Sequence, residues 1–137
     1  MNRIIRVVGG VFYKRHPEVQ VQLFRKVSGS IAGYFEFPGG KIESNETAES
    51  ALKREILEEL GVSIVVQDLV GSNTFEVTGR SIELTLYLIE LEGPAEFVFS
   101  DHDAVLWLNE NESTSPPIAP GDVPLLPQIF SLIKTKI

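Results

Sequence analysis

The chain has 137 residues, 43% of them hydrophobic, with no cysteine and a formal net charge of -7. That length suits one domain, 1–137, with its own core, and the missing thiols exclude disulfides and cysteine chemistry, so any metal must bind through oxygen or histidine and a reducing cytoplasm is the expected location. The acidic balance argues against polymeric nucleic acid or a membrane surface as partner, and a small polyanionic ligand would need a metal ion.

Ile4 to Tyr13 and Val19 to Arg25 are rich in Val, Ile, Phe and Leu, and the polar break KRHPE between them predicts a strand hairpin. The start has no long apolar run, so neither a signal peptide nor a membrane span is expected. KVSGSIAGYFEFPGG is dense in Gly and Ser and reads as an irregular loop pinned by its aromatic residues. Thr47 can cap a helix from Ala48 to Leu60, Glu49 suits its positive first turn, and Gly61 supplies the stop. Ile64 to Val77 and Ile82 to Leu91 read as strands joined through TGR, and EFVFS before AVLWL suggests further short strands around an acidic turn. After a Pro-rich connection, VPLLPQIFSLIKTKI reads as a closing amphipathic helix with Lys134 and Lys136 near its negative end. This irregular interleaving predicts an α/β fold with a mixed sheet between helices.

The segment KREILEEL calls for an explanation. A solvated, charge-paired face is the common reading of a Glu-rich helix. At about 100° per residue, however, Ala48, Ala51, Leu52, Ile56 and Leu60 form an apolar arc that includes Glu55 and Glu59, with Glu58 at its edge. Two carboxylates four residues apart on the inward side repel each other and lose hydration, so something positive must compensate. Arg54 alone cannot neutralise three neighbours, whereas a hard divalent cation prefers such oxygens. The PGGK just upstream offers flexible backbone that can approach an ion or phosphate, but no Gly-Lys-Ser/Thr follows, which excludes a Walker-type loop.

Gly40, five residues, Glu46, seven residues, then Arg54-Glu55-Ile56-Leu57-Glu58-Glu59-Leu60-Gly61-Val62 resembles the Nudix box with every fixed position filled. FEFPGGKIE, SDHDAVLWL and PPIAPGDVPLL resemble the matching stretches of MutT-type and CTP-pyrophosphohydrolase-type members, so the likeness spans most of the chain. The resemblance implies a Nudix-type α/β/α sandwich and a Mg²⁺-dependent hydrolase, with Mn²⁺ as a substitute. It acts on small nucleotides in which a nucleoside diphosphate is linked to another group. It further implies that Glu55, Glu58 and Glu59 bind metal together with the Gly39 carbonyl, and that one of these glutamates serves as base. Arg54 is expected to orient the glutamates and Glu46 to brace the box. Asp101 matches an auxiliary metal-binding carboxylate that is more often Glu, with a simple turn as the alternative, and His102 is expected to be structural. Arg25 matches a substrate-touching position or is a surface arginine, and Phe37 packs on a base or belongs to the core. Asp122 either meets the base edge or caps the closing helix.

The expected reaction is cleavage of a nucleoside triphosphate, including oxidised or non-standard ones, to monophosphate and pyrophosphate. The alternatives are hydrolysis of ADP-ribose or a nucleotide sugar, dinucleoside polyphosphate cleavage, trimming of RNA 5′ ends, and a non-catalytic nucleotide sensor. The full set of box carboxylates argues against the sensor. The sequence carries no signal of oligomeric state.

Overall fold

A computed structural model of the chain describes residues 4–112 and 116–136. The strands β1 (Ile4–Lys14) and β2 (Gln20–Lys26) form the expected hairpin, with Phe12 opposite Gln22. The Gly-rich loop contains two short strands that the sequence did not announce, β3 (Phe35–Glu36) and β4 (Gly39–Lys41). β3 pairs with Phe24 and Arg25 of β2, while β4 pairs with Val7, Val8 and Gly9 of β1. The aromatic end of the loop is thus pinned by backbone pairing as well as by burial. β4 runs so close to β1 that a Cβ on Gly39 would strike the Val8 carbonyl, which is why this approach needs glycine.

The helix α1 (Ala48–Leu60) has the predicted limits: the Thr47 side chain accepts from Ser50 N, and Gly61 takes the left-handed conformation at φ 69°. The strands β5 (Ile64–Val77) and β6 (Arg80–Leu91) pair antiparallel across Thr78 and Gly79, both at positive φ, as a tight hairpin turn of this hand requires. β7 (His102–Asn109) adds to the outer side of β2. EFVFS, however, forms no strand. Instead Val98 N donates to Leu60 O at 2.9 Å and Ser100 N to Glu59 O at 3.2 Å, so this segment satisfies the free carbonyls at the end of α1.

A 3-10 turn, Val123–Leu125, precedes α2 (Leu126–Thr135), which begins three residues later than expected. Asp122 does not cap it. Its backbone is right-handed helical rather than extended, and its side chain makes no capping bond.

All seven strands share one mixed sheet in which only β1 and β6 run parallel among the described pairings. One face packs α1 through Ala51, Leu52, Ile56 and Leu60 against Val8, Phe12, Phe24 and Ile89. The other packs α2 through Ile129, Phe130 and Ile133 against Val11, Leu23 and Leu86. The result is the expected α/β/α sandwich. No helix among the described residues is long and apolar enough to cross a membrane.

Candidate active site

Burial of the apolar side of α1 forces Glu55 and Glu59 toward the sheet, where their side chains are 17% and 14% exposed, whereas Glu58 is 58% exposed. At the N-terminal side of this group, Arg54 gathers the charge. Its guanidinium donates to both carboxylate oxygens of Glu46 at 2.6 and 2.8 Å, to Glu55 Oε1 at 2.8 Å and to the Lys41 carbonyl at 3.1 Å, and its Nη1 also lies 3.4 Å from Glu58 Oε2. Glu46 also accepts from Glu43 N at 2.9 Å. The Arg54 hydrogen bonds, reinforced by this backbone donor, pull the Glu46 carboxyl down to about 2. A Cβ on Gly40 would collide with the Glu55 carboxylate, so the second glycine of PGGK leaves room for an acidic side chain.

Glu59 stands in a different setting. Its Oε1 is buried with no hydrogen-bond partner among the described residues, and its Oε2 lies 3.8 Å from Lys26 Nζ. Burial, reinforced by the charges of Glu36 and Glu55 and opposed by Lys26 and His102, pushes the Glu59 carboxyl up to about 7.

Lys26 and Glu36 complete this neighbourhood, and neither stands out in the sequence. Lys26 forms an ion pair with Asp101, which also accepts from Ser28 Oγ at 2.8 and 2.9 Å. The Lys26 bond, followed by the Ser28 bond, holds the Asp101 carboxyl below its usual range. Glu36 lies 2.9 Å from Nε2 of buried His102, whose Nδ1 has no partner among the described residues. A signal for Glu36 does exist, since it is the polar residue alternating between Phe35 and Phe37 in FEF. Its pairing opposite Phe24 places it on the α1 side of the sheet.

Arg25 points away from these groups. It donates to Asp103 at 2.8 and 3.2 Å and lies 5.9 Å from the Phe35 ring. By strand alternation it shares the α2 side with Leu23. Phe37 is buried in the α2-side core and also borders a cavity of about 520 Å³. Glu36, Gly39 and Asp122 border that cavity as well, with Val7, Phe75 and Leu84 among its apolar walls. Asp122 is buried and its Oδ2 accepts from Phe37 N at 3.0 Å. Burial pushes its carboxyl up to about 7 despite that donor.

Among the described residues, no three acidic or histidine side chains already converge on one point at metal-binding distance. Arg54 engages Glu55, Glu58 turns outward, and Lys26 lies between Glu59 and Asp101. The donor set nevertheless fits a hard divalent cation. It consists of carboxylate oxygens, and the buried, unpartnered Oε1 of Glu59 is the kind of atom a cation satisfies.

The NUDIX domain family model matches residues 4–129. The CTP pyrophosphohydrolase of Escherichia coli K12 is 34% identical over 131 residues, covering 95% of this chain and 94% of that protein. An 8-oxo-dGTP diphosphatase of Haemophilus influenzae is 28% identical over 130 residues, covering 94% and 93%. The solution structure of the E. coli ORF135 protein matches with a TM-score of 0.82 at 32% identity, covering 98% of this chain and 94% of that one. The chain belongs to the Nudix family, within its MutT-like and CTP-pyrophosphohydrolase-like branch. It is therefore a pyrophosphohydrolase, an enzyme acting on phosphoanhydride bonds, in a family that uses divalent metal cations.

Proposed function

We propose that the enzyme hydrolyses a nucleoside triphosphate, canonical or oxidised, to the monophosphate and pyrophosphate with Mg²⁺ as cofactor and Mn²⁺ as a substitute, and that 1–137 acts as one Nudix domain in the cytoplasm. The observation carrying this reading is the adjacency of two features. A desolvated carboxylate, Glu59, senses the charge of Glu36, and Glu36 also borders the apolar cavity that holds Phe37 and Asp122. A base seated in the cavity would leave its phosphates extending past Glu36 and Gly39 toward α1. The relatives named for CTP and 8-oxo-dGTP carry the same domain, which supports nucleoside triphosphates over larger substrates.

In this reading Glu55, Glu58 and Glu59 hold the cation, with the Gly39 carbonyl and Asp101 as further oxygen donors. Bound there, it would neutralise phosphate charge and acidify water. One of these three glutamates would also serve as general base toward the attacking water. Arg54 orients Glu55 and Glu58 through its own bonds, while Arg25, 5.9 Å from Phe35, meets the substrate from the α2 side after leaving Asp103.

A product screen tests the reading. CTP, dCTP, 8-oxo-dGTP, ADP-ribose, a nucleotide sugar, diadenosine tetraphosphate and 5′-triphosphate RNA are each incubated with Mg²⁺ or Mn²⁺. Pyrophosphate and monophosphate from a nucleoside triphosphate are expected. Orthophosphate as first product, or turnover confined to ADP-ribose or RNA, would overturn it.

A further inference from the structure

The ammonium of Lys26 sits among carboxylates. It pairs with Asp101, lies 3.8 Å from Glu59 Oε2 and is attracted by Glu36 as well. Its backbone is pinned on both sides, Lys26 N donating to Tyr34 O at 2.9 Å and Gly33 N donating to Lys26 O at 2.8 Å. The β2–β7 register also shifts between Phe24 and Lys26, an irregularity that re-aims a side chain. The backbone is therefore fixed, and the side chain, 20% exposed, ends on a four-carbon stem with several rotatable bonds.

We propose that Lys26 is a resident positive charge that positions Glu59 and Asp101 in the metal-free enzyme and suppresses divalent cation binding until a polyphosphate chain draws its ammonium away. This rests on Glu59 and Asp101 as metal-binding groups. An ammonium among the same oxygens repels an incoming divalent ion and occupies its donors, whereas removing that ammonium leaves the carboxylates with less opposing charge. A triphosphate offers Lys26 a more highly charged partner, so nucleotide and cation bind cooperatively, each tightening the other by the same factor. The enzyme then holds metal chiefly when substrate is present.

The test is Mn²⁺ binding to the nucleotide-free protein, followed by electron paramagnetic resonance and calorimetry. Lys26→Met should bind Mn²⁺ at least about tenfold more tightly than the unmutated protein, and Lys26→Arg, which keeps the charge, should bind within about threefold of it. A non-hydrolysable nucleoside triphosphate analogue should tighten Mn²⁺ binding to the unmutated protein and lose most of that effect in Lys26→Met. Equal or weaker Mn²⁺ binding by Lys26→Met overturns the proposal. Glu59→Gln serves as the reference. If it weakens Mn²⁺ binding while Lys26→Met changes nothing, Lys26 alone is misassigned, whereas unchanged binding in Glu59→Gln removes the metal site and this proposal with it. Should Lys26→Met fail to fold, the Nζ resonance of Lys26 in the unmutated protein must move when the non-hydrolysable nucleoside triphosphate analogue is added with Mg²⁺, and an unmoved resonance overturns the proposal.

Discussion

Glu46 and Glu59 are both glutamates of the same motif beside a cationic side chain, yet Glu46 is held at about 2 and Glu59 is pushed to about 7. Arg54 meets Glu46 with two short parallel bonds, and a backbone N–H adds a third. Lys26 reaches Glu59 only at 3.8 Å, and one oxygen of Glu59 has no partner. A planar guanidinium can saturate a carboxylate, whereas a shared ammonium leaves one underneutralised. The first arrangement is a brace, whereas the second leaves a carboxylate oxygen in reserve for the cation of the proposed site.

Breaking the reserve should have the largest effect. Glu59→Gln keeps the shape of the side chain but removes its charge, so turnover should fall at least about a hundredfold. The rise in melting temperature on adding Mg²⁺ should shrink as well. Unchanged turnover in a folded variant would show that Glu59 has no part in the chemistry. Breaking the brace should do less to chemistry and more to folding. In Glu46→Ala, Arg54 keeps Glu55 but loses its best partner, so melting temperature should drop while turnover falls by about tenfold or less. A loss as large as that of Glu59→Gln would erase the distinction between the two regions.

The same contrast predicts opposite pH slopes in EDTA. Glu46 has its folded value depressed from 4.5 to about 2, so its contribution is present above about pH 4.5 and is lost as pH falls toward 2. Glu59 has its folded value raised from 4.5 to about 7, so its contribution is complete below about pH 4.5 and is lost as pH rises through 7. Asp122, raised from 3.8 to about 7, acts in the same direction as Glu59. Thermal unfolding should show stability rising from pH 2 to 4.5 and declining from 5 to 7.5. Glu46→Ala should flatten the first limb, and Glu59→Gln the second in part. A second limb untouched by Glu59→Gln would mean that its burial does not perturb its proton.

The brace was the more legible half in the sequence, because Glu46, Arg54 and the limits of α1 follow from a local motif and helix periodicity. The inward turn of Glu55 and Glu59 was readable for the same reason. Lys26 was not, since it reaches Glu59 through β2, and Glu36 left only the alternation of FEF, a trace too short to separate a two-residue strand from the Gly-rich loop around it. EFVFS reads as a strand in the sequence because a short apolar run of this kind can equally cover a helix end and an aromatic cluster. Phe97 and Phe99 pack around Phe24 with ring centroids 5.4 and 5.9 Å away.

Asp122 should give the smallest effect, a change of ranking rather than of rate. As a permanently ionised carboxylate it could only accept hydrogen bonds, which would favour bases presenting an exocyclic amine. Its burial changes that expectation. With one oxygen committed to Phe37 N and a carboxyl that titrates near 7, the other oxygen accepts at high pH and carries a proton it can donate at low pH. Preference for an amine-bearing edge such as cytosine over a carbonyl-bearing edge such as uracil should therefore strengthen between pH 6 and 8. The kcat/KM ratio of CTP to UTP, measured across that range, reads this directly, with a shift of about threefold to tenfold expected. Asp122→Asn cannot titrate and offers an amide donor or acceptor at every pH, so its ratio should be flat. A pH-dependent ratio that survives in Asp122→Asn would assign base recognition to another group bordering the cavity.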